Sequence, residues 1–88
     1  MQDVSEGTMP RFYFHVHDGK DLPDEEGTEY ASADEATAQA VTFMGEELKD
    51  ADGRFWNDGE WSMHVVAENG ATVCQLRFSG ERAAQVRA

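Results

Sequence analysis

Residues 11–17, RFYFHVH, alternate, with Phe12, Phe14 and Val16 on one side and Tyr13, His15 and His17 on the other. Period-two alternation is the pattern of a strand buried on one face. Two further apolar runs flank Asn69-Gly70, a dipeptide that suits the two-residue type I′ hairpin turn. With Glu68 opposite Ala71, that turn pairs Val65 with Cys74, Met63 with Leu76 and Trp61 with Phe78 on one face. The same register pairs Val66 with Val73, His64 with Gln75 and Ser62 with Arg77 on the other face. A one-residue slip would scatter the large hydrophobes over both faces, so the turn chemistry and the apolar pattern agree.

Between these strands the period changes. Ser32 and Glu35 make a capping box, in which a serine hydroxyl and a glutamate three residues later satisfy the orphaned N–H groups of a helix start. From Ala33 onward, Ala36, Ala40, Val41, Phe43, Met44 and Leu48 fall on one broad face of a helix running to about residue 50. Gly53 stands where a helix end needs a left-handed residue, and RFWNDGE follows as a loop expected to tuck Phe55 and Trp56 under the core edge. The stretch DGKDLPDEEGTEY carries Asp-Gly, Pro-Asp and Glu-Gly turn signals. It reads as a loop leading to a short edge strand, Thr28 to Tyr30, paired with the first strand.

The predicted fold is α+β: a two-layer sandwich with an antiparallel sheet of three to four strands, in β-β-α-β-β order, and one helix on one face. At 88 residues the chain has room for one core, burying roughly 60% of the surface its unfolded form exposes. The expected domain spans residues 10–80, after a flexible leader over 1–9 and before a tail over 81–88 that is either a short helix or a frayed end.

Charge narrows the partners. Eighteen acidic residues against seven basic ones give a formal charge of −11, which repels phosphate and anionic lipid, so neither nucleic acid nor membrane is expected as a partner. One cysteine cannot form an internal disulfide, and the chain shows neither a secretory start nor a long apolar run, so the expected location is cytoplasmic.

The candidate chemistry is sparse. His15 and His17 project from one strand face, and His64 joins them if the first strand neighbours the hairpin. Three imidazoles are a zinc ligand set, set against the plainer reading of three partnered surface histidines. Asp18, Asp21, Asp24, Glu25 and Glu26 crowd one loop without the spacing of an EF-hand. Cys74 faces the expected core as a small hydrophobe. No serine sits in a glycine-framed elbow, and no glycine-rich loop precedes the helix, so nucleophilic hydrolysis and nucleotide chemistry lack their usual cradles. Trp56 and Trp61 flank a polar turn as aromatic anchors. No cofactor and no catalytic residue are assigned.

MPRFYFHVHDG, DEEGTEY with the alanine-rich capped helix, GEWSMHVVAENG and LRFS together resemble one family of small bacterial domains of unknown function. The resemblance covers about residues 9–79 and rests on the aromatic first strand with its Asp18-Gly19, the Asp24-x-x-Gly27 turn and the Trp61 hairpin. It implies no activity. The order of a strand, an acidic turn, a short strand and a capped helix is also similar to the antitoxin half of a bacterial toxin–antitoxin pair, which places three strands before the helix where two are read here.

Two functional expectations result. The first is a non-catalytic interaction or regulatory module whose uncovered sheet face (Tyr13, His15, His17, His64, Val66, Val73, Gln75 and Arg77) or sheet edge holds a protein partner or a second copy as a homodimer. The second is a metal-binding protein or small metal-dependent enzyme built on His15, His17 and His64.

Overall fold

The computed structural model describes residues 9–83. The leader expected over 1–9 and the tail expected over 81–88 fall, apart from residues 9 and 81–83, outside the described residues. The elements are β1 (Arg11–His17), β2 (Asp21–Leu22), β3 (Thr28–Glu29), α1 (Ala33–Ala51), β4 (Glu60–Ala67) and β5 (Thr72–Ser79). One helix packs on an antiparallel sheet ordered β2-β1-β4-β5, with β3 also pairing β1.

The α+β class stands, but the strand count and order differ from the expectation. The sheet has five strands, and three of them precede the helix. The added one, β2, is two exposed residues long, too short to show alternation. It exists because the turn after β1 folds the chain back, placing Leu22 opposite Val16 and Asp21 opposite His17. The expected edge strand is found as β3, with Thr28 opposite Phe12 and Glu29 opposite Arg11.

Alternation decides the core. Phe12 and Phe14 from β1 and Trp61, Met63 and Val65 from β4 are buried against Ala36, Ala40 and Met44 of α1. Those helix residues lie four apart, one stripe of the helix surface, and the two alanines let the helix axis approach the sheet. Fully burying a Met or Val side chain contributes about 1.5–3 kcal/mol, so this stripe dominates the helix–sheet contact. The stripe is narrower than the apolar pattern implies: Val41 is 54% exposed, since it is rotated about 100° from Ala40 and past the sheet.

The helix begins as its capping residues require. The Glu35 N–H donates to Ser32 Oγ at 3.1 Å, and the Glu35 carboxylate accepts from the Ala31 N–H at 2.9 Å. At the other end Gly53 is left-handed as expected, with φ of 94°, and Asp52 before it, with φ of 52°, is left-handed too. Residues Arg54–Asn57 then form a 3₁₀ turn rather than a loop. Phe55 packs edge-on against Trp61 at 5.6 Å, as expected, but Trp56 stays 42% exposed.

The hairpin differs from the two-residue turn expected. The Gly70 N–H donates to the Ala67 carbonyl and the Ala67 N–H to the Ala71 carbonyl, both at 2.8 Å. Of the turn residues only Gly70 has positive φ, at 91°, which marks a three-residue loop with a left-handed glycine closing a bulge. Val66 therefore faces Thr72, not Val73. The ladder shifts between Val65 and Val66, and from Val65 with Cys74 to Trp61 with Phe78 it runs in the expected register. One residue ceded to the turn by β4 is matched by one extra residue, Val73, on β5, so the two departures cancel.

Candidate functional site

The side of the sheet away from α1 carries three rows, read across β1, β4 and β5. They are Tyr13, Val66 and Thr72; His15, His64 and Gln75; and His17, Ser62 and Arg77. Among the described residues no helix covers this face. Seven of the eight residues expected there are present in these rows. The exception, Val73, is the extra residue of the bulge and packs against the core instead, because two successive residues of a bulged strand oppose a single partner and alternation breaks. Thr72 takes its place, and Ser62 completes the grid.

The face is polar at its centre and only partly apolar. Tyr13 stacks on His15 with ring centroids 6.4 Å apart and planes 11° from parallel. Glu60, Ser62, His64, Gln75 and Arg77 line a shallow groove of about 440 Å³ along β4 and β5. Arg77 lies 3.7 Å from Glu60, a solvent-exposed pair worth little to stability.

β1 and β4 do bring His15 and His64 face to face as direct cross-strand partners. Each histidine nevertheless has its own neighbour. Nδ1 of His15 accepts from the Asp24 N–H at 3.0 Å, Nδ1 of His17 lies 2.8 Å from Asp21 Oδ1, and Nε2 of His64 lies 2.9 Å from Thr72 Oγ1. Among the described residues no group of three or more His, Cys, Asp or Glu is placed to hold a metal ion. Strand spacing puts the three rings on one face, and each ring lies within hydrogen-bond reach of a different partner.

The acidic loop also resolves into separate roles. Asp24 accepts the Phe14 N–H on Oδ2 at 3.0 Å, and on Oδ1 the N–H groups of Gly27 at 3.0 Å and Glu26 at 3.2 Å. Burial pushes its carboxyl up, but those N–H donors, with the His15 ring adding a smaller pull, outweigh it and hold the group below the ordinary carboxylate range. The carboxylate thus fills the stretch of β1's outer edge that β2 and β3 leave unpaired, where a raw sheet edge would invite other chains. Gly27, with φ of 71°, passes so close that a Cβ there would lie 2.9 Å from the Phe12 carbonyl oxygen and 2.8 Å from Arg11 Cγ. The Asp24-x-x-Gly27 motif is thereby explained as an edge seal.

Asp18 is the buried member of that loop, 5% exposed, with Oδ2 3.5 Å from Arg54 Nη1. Arg54 in turn lies over the Trp61 ring at 5.0 Å, so one guanidinium serves both a buried carboxylate and a buried indole. Cys74 packs against the core, where burial pushes its thiol up, away from the thiolate a nucleophile needs.

Residues 11–79 match a family described as a domain of unknown function (DUF6894). The chain belongs to that family. The matched span runs from the first residue of β1 to the last of β5, so the open face, the Asp24 seal and the Asp18–Arg54 pair all lie within the shared domain. No curated protein and no solved structure matches the chain. No described helix is long and apolar enough to cross a membrane.

Proposed function

We propose that this domain is a non-catalytic protein-interaction module that uses its open sheet face and the outer edge of β5 to hold a protein partner or a second copy of itself. The observation that carries the reading is an asymmetry. One face of the sheet lies under α1 and one edge is sealed by β2, β3 and the Asp24 carboxylate, while the other face and the β5 edge have no cover among the described residues. Sealing one edge so thoroughly and leaving an eight-residue strand unpaired on the other is what sheet-augmenting and face-pairing domains require. Charge supports the same side. Residues 72–79 carry a single charge, Arg77, whereas residues 21–29 at the sealed edge carry Asp21, Asp24, Glu25, Glu26 and Glu29. An acidic protein meets least repulsion where its own carboxylates are fewest.

The test combines oligomeric state with a variant placed in the grid. Sedimentation equilibrium of the intact chain, and affinity capture from its native cell, are each compared with Val66→Asp, which charges the middle strand of the face at its apolar end without touching the core. Self-association or a captured partner lost in Val66→Asp supports the reading. A strict monomer with the same capture pattern in both proteins defeats it.

A further inference from the structure

A second, separate surface lies on the helix side of the sheet. α1 and the outer edge of β1 bound a groove of about 320 Å³ whose floor is Phe14, Val16, Phe43 and Met63 and whose rim is Asp24, Glu46, Glu47 and Asp50. The floor is firm, since Phe43 meets Phe14 edge-on at 5.2 Å. It extends outward as well. Leu22 stands opposite Val16 on β2 and is 37% exposed, and direct cross-strand partners share a face, so an apolar strip continues from the groove to the sheet edge. Among the described residues no lysine or arginine lines the groove.

The rim carboxylates are poorly placed for the helix itself. Glu46, Glu47 and Asp50 sit in the C-terminal half of α1, and Asp50 lies in the last turn beside Lys49, where the helix dipole disfavours anions. They are spaced three and four apart, so like charges face one another along the helix. Among the described residues none of these three, nor Asp24, forms an ion pair with a basic side chain. Carboxylates that have no cationic partner among the described residues and surround an apolar floor are complementary to a ligand that is both cationic and apolar.

We propose that this groove docks a basic segment of a partner protein, an extended stretch in which arginine or lysine alternates with large aliphatic side chains. The aliphatic groups lie on Val16, Phe43 and Leu22, and the cations reach the rim carboxylates. Binding there does not depend on the open face or the β5 edge.

The experiment titrates the intact chain into a short fluorescein-labelled peptide alternating arginine and leucine, followed by anisotropy. Bulk attraction to an acidic protein is controlled by two variants that remove equal charge. Glu46→Gln, Glu47→Gln and Asp50→Asn together neutralise the rim. Glu25→Gln, Asp34→Asn and Glu81→Gln together neutralise exposed residues elsewhere. The rim variant should bind about tenfold more weakly than wild type and the control variant within about twofold of it. The rim variant should also melt at or above the wild-type temperature, which separates lost docking from lost folding. A peptide with serine in place of leucine should bind more weakly, and NMR should place the shifted signals at Val16 and Met63. Absence of binding to wild type, equal losses in both variants, or indifference to the leucines would overturn the proposal.

Discussion

The Phe14 N–H, midway along β1, donates to the carboxylate of Asp24 at 3.0 Å, so a side chain takes the place of a strand. β2 pairs only with Val16 and His17 and β3 only with Arg11 and Phe12, and Asp24 occupies the interval. One carboxylate accepting three N–H groups anchors both the loop and the strand edge. Hydrogen bonds to charged groups contribute about 1.5–3 kcal/mol each and are not additive, so Asp24→Ala should destabilise the domain by about 2–3 kcal/mol in denaturant melts. A change below about 0.5 kcal/mol, the size of an ordinary surface substitution, would show that the seal is ornamental.

The pH dependence has a definite sign. The Asp24 carboxyl is held below its ordinary value in the folded protein, so the unfolded chain takes up its proton first as pH falls. The stability it contributes is complete above about pH 4, near the unfolded carboxyl value. It is lost as pH drops through the depressed folded value. Asp24→Asn should flatten that part of the stability curve measured by urea titration across the acidic range, and an unchanged slope would assign the acid sensitivity to other groups.

Gly27 and Gly70 both hold left-handed backbone, at φ of 71° and 91°, yet only Gly27 is crowded. Alanine at Gly70 meets nothing within 4 Å and should cost about 1–2 kcal/mol from the backbone alone. Alanine at Gly27 adds a clash with the Phe12 carbonyl, which belongs to the ladder and cannot yield easily. Thermal melts should therefore rank Gly27→Ala well below Gly70→Ala, and equal melting temperatures would contradict the close approach.

The bulge makes neighbouring residues behave oppositely. Thr72 lies on the open face and is exposed, while Val73 packs against the core. Thr72→Asp gives up the hydroxyl beside His64 and should cost no more than about 1 kcal/mol, whereas Val73→Asp buries part of an unpaired charge and should cost about 2 kcal/mol or more. If the two substitutions cost the same, the ladder runs without the extra residue.

Breaking the Asp18–Arg54 pair from its exposed side should be costly. Arg54→Ala leaves a buried carboxylate whose Oδ1 already has no hydrogen-bond partner among the described residues, and removing one member of a buried pair costs about 3–5 kcal/mol. Arg54 is half exposed, which places the expected loss near the lower figure. Adding Asp18→Asn should recover part of it, and a double-mutant cycle with no coupling would refute the pairing.

Periodicity and caps were enough to place the long elements. Alternation in Phe12, Phe14 and Val16 and in Trp61, Met63 and Val65 told which side of each strand meets the core, and Ser32 with Glu35 marked where the helix starts. Each is a local consequence of backbone geometry, since side chains alternate along a strand and orphaned N–H groups need a nearby acceptor. The core register of the hairpin was legible for the same reason, although the turn and the bulge that produce it were not.

Tertiary contact decided the rest. The hydrogen-bond partners of His15 and His64, the Asp24 N–H and Thr72 Oγ1, were brought beside them by loop and strand packing. That Asp24 seals an edge, that Asp18 goes inside with Arg54, and that Val41 and Trp56 stay out follow from what lies across the fold, not along the chain. A residue's neighbours in sequence set the direction of its side chain, and only the folded structure sets what that side chain meets.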